Sequence, residues 1–432
     1  MKNNQRLRIL IVATFLVLAF SLGGLVQAEN KTISIWCWDY VKKCIDLNLP
    51  AFYEKYPGTT VETKIISTSQ GDIYTKVLLA LSAGEGAPDV VSLENSHLAQ
   101  MVSTGGLLDI TKNAKPYFNK FNRYKWDDAV SKGKFYAMPI DSGPVAIWYR
   151  RDVFEKAGLP STPEEVSKLL DTWEDYYKTG KIIKEKTGCY MFQMAGSTND
   201  GRIMEMLLQQ QSLGYFDKNG KVILDKPQAA KVLDFLGQCF KDGLCQDASA
   251  WTDPWYAGQR DGKVATIIEA VWMGGFLKGW IAPETSGKWG VVKLPLWEKG
   301  KGVRASNDGG SCFAITTQTK NKDLAWKFIE FMTAREDSQM KMFKSFDSFP
   351  SLETTYTDPF FTEKDPYFGN QAYREIFKEV AKEIPYWSYT KDYDEANRIT
   401  QAEVQSFMLG KQTAVEALKK AAKAIREKTR RK

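Results

Sequence analysis

One histidine, His97, stands among 432 residues. Acid–base chemistry that relies on imidazole would rest on that single position, and a histidine-built zinc site has no material. The six cysteines contain no Cys-x-x-Cys pair that could take over the metal role. A Gly-x-Ser-x-Gly elbow, a phosphate-cradling Gly-x-x-x-x-Gly-Lys loop and a His-Glu-x-x-His helix are all missing. Asp217-Lys218-Asn219-Gly220 lacks the alternating carboxylates of a calcium loop and reads as a hairpin turn between Tyr215-Phe216 and Val222–Leu224. Neither a metal nor a cofactor is expected. No pair of carboxylates stands out for glycoside hydrolysis. The chain nonetheless has 52 acidic residues, and a carbohydrate-cleaving hydrolase or lyase stays open as an alternative.

Spread positive charge is also lacking. The net charge of +7 is concentrated at the two ends. Lys2, Arg6 and Arg8 account for three charges, and the tail Lys411–Lys432 carries nine Lys/Arg against Glu416 and Glu427, leaving residues 29–410 at −3. A nucleic-acid binder spreads basic residues over its working face, so no nucleic-acid partner is expected. The tail reads as a solvated amphipathic helix that frays into a charged end.

Long apolar runs are confined to the start. Lys2, Arg6 and Arg8 precede the apolar stretch Ile9–Phe20, and Val26-Gln27-Ala28 forms a small-residue cleavage site before polar Glu29-Asn30-Lys31. Residues 1–28 therefore read as a signal peptide, with a retained membrane anchor over Ile9–Val26 as the rival. No Cys lies near the cleavage point, so a lipid-anchored form has no lipobox. A periplasmic or secreted protein is expected. In that oxidising setting Cys37–Cys44 and Cys239–Cys245 are close enough to pair as local disulfides, with Cys189 and Cys312 left as free thiols.

What the chain does have is an alternation of strand and helix signals. Ile33–Trp38, Val61–Ile66, Asp89–Leu93 and Val145–Tyr149 read as buried strands. Leu47–Tyr56 and Ile73–Ala83 read as helices, stopped by Pro57-Gly58 and Gly84, and Thr162-Pro163-Glu164-Glu165 starts another over Glu164–Lys178. The pattern implies α/β architecture. About 400 residues beyond the leader exceed one comfortable core, so two lobes are expected. Asn307–Arg335 combines the flexible turn Asp308-Gly309-Gly310, the apolar strand Ser311–Thr317 and an amphipathic helix capped from Asn321 or Asp323.

Aromatics are abundant: 13 Trp, 19 Tyr and 23 Phe. Many fall beside polar residues in expected loops, as in Trp38-Asp39-Tyr40, Trp251, Trp255-Tyr256, Trp272 and Tyr386-Trp387-Ser388-Tyr389. Sugar rings stack apolar C–H faces on aromatics and offer hydroxyls to Asp, Asn and Glu, so this mixture suits a carbohydrate site. Core packing is the competing role for each Trp.

Four segments together resemble the extracellular solute-binding proteins of carbohydrate ABC importers, the maltose-binding-protein-like family. They are Phe52–Val61 (FYEKYPGTTV), Leu78–Thr111, Gly133–Pro160 (GKFYAMPIDSGPVAIWYRRDVFEKAGLP) and Asn307–Arg335. Val264–Trp272, Tyr215–Leu224 and Leu409–Ile425 also fit. The resemblance implies a two-lobed periplasmic-binding-protein type II fold, each lobe a mixed sheet flanked by helices, closing on ligand held in the cleft between them. Lobe one would be 29–141 plus 288–335, and lobe two 142–287 plus 336–432. The implied role is a monomeric receptor, without catalysis, that binds an oligosaccharide and delivers it to the permease subunits of an ABC importer. A binding protein for a non-sugar solute is a further alternative. Ligand positions implied by the resemblance are Trp38, Asp39, Gln70, Glu94, Asn95, Asp141, Trp272, Asn307, Asp308, Gly309 and Trp387. Trp272 would stack on a sugar ring, while Asp141 and Asp308 would accept sugar hydroxyls.

Overall fold

A computed structural model describes residues 31–67, 70–196 and 202–432, and the expected leader lies outside the described residues. Eight strands form the two main sheets: β1 (Lys31–Trp38), β2 (Thr59–Ser67), β3 (Val90–Glu94), β4 (Ala137–Pro139), β5 (Val145–Arg150), β6 (Thr266–Ala270), β7 (Trp289–Val292) and β8 (Ser311–Ile315). The helices that matter for the site are α1 (Asp39–Lys55), α2 (Gln70–Ala83), α3 (Asn95–Ser103), α4 (Arg202–Gln210), α5 (Lys322–Thr333), α6 (Tyr393–Met408) and α7 (Ala414–Thr429).

The first lobe is built on the mixed sheet β2-β1-β3-β8-β4. β1 runs parallel to β2 and β3, with Ile35 opposite Val90, while β8 runs antiparallel to β3 and β4. Ile33, Ile35, Val90, Val91 and Phe313 are fully buried in its core, together with Leu324, Phe328, Ile329 and Met332 from α5. The apolar spacing of α5 thus does what helical periodicity implies. Its N-terminus differs from expectation in detail. Asn321 Nδ2 donates to Thr32 O at 2.8 Å and makes no cap bond, tying α5 to the start of β1 instead.

The second lobe is built on the antiparallel sheet β6-β5-β7. Every residue of β5 is buried. Val145, Ile147 and Tyr149 enter one core, and Ala146 and Trp148 enter another on the opposite face, the period of two that a strand imposes. β7 hydrogen-bonds to β5 with Val291 opposite Trp148. Trp289–Val292 therefore remains on the second sheet, and the return crossing lies between Val292 and Ser311, later than the expected 287/288 boundary. The apolar run Trp289–Val292 has no local mark to say which sheet it completes.

Three expectations are corrected. Glu164–Lys178 is not one helix: Pro163–Leu169 ends at Leu170, and a new helix, Trp173–Thr187, starts from a Thr172/Asp175 capping box. The C-terminal helix α7 is docked rather than solvated, because its capping box at Thr413/Glu416 orients Ala417, Leu418, Ala421, Ala422 and Ile425 into the second-lobe core. All six cysteines are free. Each is satisfied as a small apolar group: Cys312 Sγ lies 3.4 Å from Leu93 O and Cys245 Sγ 3.6 Å from Met194 O. Burial pushes the Cys37 and Cys239 thiols up to about 12. The expected turn at Asp217–Gly220 forms, with Asp217 Oδ1 accepting from Asn219 and Lys221 amides at 2.8 and 2.9 Å. Among the described residues, no helix is long and apolar enough to cross a membrane.

Candidate functional site

The chain passes between the sheets through two segments that touch. Pro144 bridges Asn307, the Asp308 amide donates to Gly143 O at 2.8 Å, and the Val145 amide donates to Ser306 O at 3.0 Å. A third strand joins them where the Ser142 amide donates to Phe349 O at 2.9 Å. A Cβ on Gly143 would stand 1.8 Å from Asp308 O, so only glycine allows the crossing. Asn307 ties the junction with its side chain. Its Oδ1 accepts from the Gly143 amide and from Tyr124 Oη, both at 3.1 Å, while Nδ2 donates to Gly309 O at 2.8 Å. Gly309 and Gly310, at φ +76° and +94°, then turn the chain into β8.

A cavity of about 210 Å³ opens beside this junction. The first lobe contributes Glu94, Ser96 and His97 from the carboxyl end of β3 and the first turn of α3, and the junction contributes Asn307, Asp308 and Gly309. The second lobe contributes Arg202, Glu205, Met206 and Gln209 from α4, Trp387 and Tyr389 from a loop, and Tyr393, Asp394, Asn397 and Gln401 from α6. The spacings 202/205/206/209 and 393/397/401 each place these residues on one helix face. His97 closes one side. Its ring stacks on Tyr74 at 3.7 Å, and its Nδ1 lies 3.3 Å from Asp394 Oδ2 across the cleft.

Carboxylates dominate the electrostatics. Arg202 pairs with Asp308. Burial opposes the guanidinium charge, but Asp308, Glu269 and Glu94 outweigh it and hold Arg202 charged. Burial raises Glu94, with Arg202 and His97 pulling the other way. Burial, reinforced by Asp308, pushes Glu269 well above the usual carboxylate range. Glu205, which accepts from Tyr215 Oη at 2.5 Å and Tyr393 Oη at 2.9 Å, is raised by burial to about 7. Acceptors therefore line the cavity at several depths, and burial shifts Glu94 and Glu205 towards the protonated form.

The eleven expected positions divide clearly. Glu94, Asn307, Asp308, Gly309 and Trp387 come together around the cavity. Trp272 stands at its edge, with Nε1 donating to Asp308 O at 3.3 Å. Its ring is flanked by Trp251 and Phe276, at centroid distances of 5.6 and 5.5 Å. Of the other expected residues, Trp38, Asp39, Asn95 and Asp141 do not line the cavity. Trp38 is in the first-lobe core, because α1 begins at Asp39 without an intervening loop. Asp39 itself pairs with Lys43 at 2.7 Å. Asn95 is buried, its Oδ1 accepting from Lys125 Nζ at 2.8 Å and its Nδ2 donating to Asp128 at 3.1 Å. Asp141 is a brace: Oδ1 accepts from the Ser311 amide at 2.6 Å and Oδ2 from Ser348 Oγ at 3.4 Å. Each oxygen thus already holds a bond within the junction. Gln70 opens α2, but its side chain lies outside the described residues.

Sequence reasoning missed Arg202, Glu205, Gln209, Tyr393 and Asp394, and considered His97 only as the lone imidazole. The one available signal was the polar face of α4 and α6 at helical spacing, which any solvent-facing helix also carries. Trp387 provides a further clue in three dimensions. It is 5% exposed, and its Nε1 has no hydrogen-bond partner among the described residues. Its ring packs on Gly214 and edge-on to Tyr215, and the residue lines the cavity. Among the described residues, no group of three or more His, Cys, Asp or Glu is placed to hold a metal ion.

Residues 40–339 match the family described as bacterial extracellular solute-binding protein. The chain is 26% identical over 359 residues to an arabinooligosaccharide-binding protein of Halalkalibacterium halodurans, covering 80% of this chain and 78% of that one. It is 28% identical over 375 residues to a lactose-binding protein of Rhizobium radiobacter, covering 84% and 86%. An ABC-transporter-associated binding protein from B. animalis subsp. lactis, solved in complex with β-1,6-galactobiose, superposes with a TM-score of 0.77 at 26% identity, covering 93% of this chain and 98% of that one. The lacto-N-biose complex of the galacto-N-biose/lacto-N-biose I-binding protein from Bifidobacterium longum gives a TM-score of 0.78 at 19% identity, with coverages of 93% and 98%.

Proposed function

The chain belongs to the bacterial extracellular solute-binding protein family, and from that premise we propose an exported receptor that captures an oligosaccharide between its lobes and presents it to an ABC permease. One observation carries the sugar assignment. The cavity between the lobes combines carboxylates and amides at several depths (Glu94, Glu205, Asp308, Gln209, Asn397) with the aromatic groups Trp387, Tyr389 and Tyr393. Hydroxyl-rich rings need that pairing of polar acceptors with flat apolar faces. The names of the relatives point the same way. A phosphorylated or otherwise anionic solute fits poorly, because Arg202 is already engaged by Asp308.

The protein acts by binding rather than by turnover, as a monomer, after residues 1–28 are cleaved on export to the periplasm or medium. Glu94, Asn307, Asp308, Gly309, Trp387 and Trp272 contact the sugar. The remaining expected positions act indirectly, with Asp141 and Asn95 fixing the junction. A thermal-shift screen against arabino-, galacto- and malto-oligosaccharides tests the assignment. A bound sugar at 100 times its dissociation constant adds about 2.7 kcal/mol of stability. Chromatography of the same mixtures should return the sugar intact. Shortened products would establish the hydrolase or lyase alternative, and a screen without any shift would reject the sugar.

A further inference from the structure

Beyond Trp272 the aromatic rings continue away from the cavity. Trp251 lies 5.6 Å from Trp272 at 31°, and Phe276 lies 5.5 Å from Trp272 and 6.0 Å from Trp280. Trp255 and Tyr256 support this row, at 5.2 Å from Trp251 and 5.0 Å from Trp280 respectively. Trp255 is buried, but Trp251 and Trp280 are 41% and 52% exposed. Among the described residues, the only other large aromatic ring so exposed is Tyr386.

Exposure of this kind is unfavourable in water, and two such indoles in one ring-to-ring row mark a contact surface. The backbone adds a separate reason. Trp251 has φ +66°, a left-handed conformation that a bulky residue rarely adopts and that clusters at functional sites. Core filling explains neither feature, because Trp255 already fills the buried position beneath.

We propose that Trp251, Phe276 and Trp280 form an aromatic platform that extends the sugar site outward from Trp272 and stacks the distal rings of a longer oligosaccharide. The inference rests on the sugar-binding reading above. The occupant is argued from continuity and chemistry. The platform joins the cavity through Trp272, whose Nε1 donates to Asp308 O, a residue of the cavity wall. Its exposed members are flat indoles.

Calorimetric titration of the full chain with two series tests this: arabinobiose to arabinopentaose, and β-1,6-galactobiose to the tetrasaccharide. In whichever series binds, wild-type affinity should rise with length. Trp280→Ala and Trp251→Ala should leave the disaccharide affinity unchanged and lower the affinity for the longest member about tenfold, the size of a lost aromatic contact. Trp251→Phe should restore most of the loss, which separates stacking from folding. Equal losses for short and long members, or no loss for either, would overturn the platform. Intact sugar affinity with lost stimulation of the permease ATPase would overturn it too, by making the patch a permease contact. A wild-type chain that binds neither series, and no malto-oligosaccharide of the same lengths, would fail the sugar reading itself.

Discussion

The backbone oxygen of Asp308 occupies the space that a Cβ on Gly143 would fill, 1.8 Å from its position. The two chain crossings are thus in direct contact at a point that also carries a cavity-lining residue, so hinge geometry and site geometry are one thing. Gly143→Ala should force the crossings apart and destabilise the free protein by about 1–3 kcal/mol. Thermal unfolding without ligand reads this, and an unchanged midpoint would mean that the crossings are looser than described.

Trp387 offers a substitution whose effects on binding and on folding are read separately. Its indole Nε1 is buried without a hydrogen-bond partner among the described residues, so no bond among them is lost there. Trp387→Phe removes the donor together with the outer ring of the indole, whose Cε3 and Cζ3 pack on Gly214. Sugar affinity should fall by at least about 0.5–1.5 kcal/mol, the net value of one hydrogen bond, and the packing lost at this buried ring should lower the melting temperature. Calorimetric titration and thermal unfolding of the pair give both numbers, and wild-type affinity would mean that the donor faces no ligand atom.

Glu205 sets a pH dependence of defined sign. Burial raises its pKa from 4.5 to about 7 in the folded protein. Between those values the folded chain holds a proton that the unfolded chain has released, so stability falls as pH rises through that window. Glu205→Gln, neutral throughout, should flatten the slope of unfolding free energy between pH 4.5 and 7 relative to wild type. Parallel slopes for the two proteins would place Glu205 in a more solvated site.

Six free thiols are a direct count. Non-reducing denaturation followed by thiol titration should find six reactive groups, and the native protein should react slowly, because burial raises most of these thiols out of the reactive range. Four or fewer thiols on denaturation would restore the pairing that short sequence spacing suggested.

The fold was legible wherever a local rule carried it. Strands around Ile33–Trp38, Val61–Ile66 and Val145–Tyr149, the turn at Asp217–Gly220 and helix α5 all follow from periodicity and turn chemistry. Two features could not be read that way. Trp289–Val292 is an apolar run whose sheet is decided by pairing with β5, a long-range choice. Trp38-Asp39 looks like a polar-aromatic loop, yet α1 starts at Asp39 and the Trp ring turns into the core. The junction loop Asn307–Gly309 was legible because Asp-Gly-Gly permits the left-handed backbone that Gly309 and Gly310 adopt there. The second-lobe wall was not, since Arg202, Glu205 and Gln209 differ from ordinary solvent-facing helix residues only by what α6 and the junction place opposite them.

The central claim, that a sugar is held by both lobes at once, is tested most directly by hydrogen exchange measured with and without the oligosaccharide that the thermal screen selects. The account predicts simultaneous protection of backbone amides around Glu94–His97 on the first lobe, Asn307–Gly309 at the junction, and Arg202–Gln209 and Trp387–Asn397 on the second. Protection confined to one lobe, or none at saturating sugar, would contradict it.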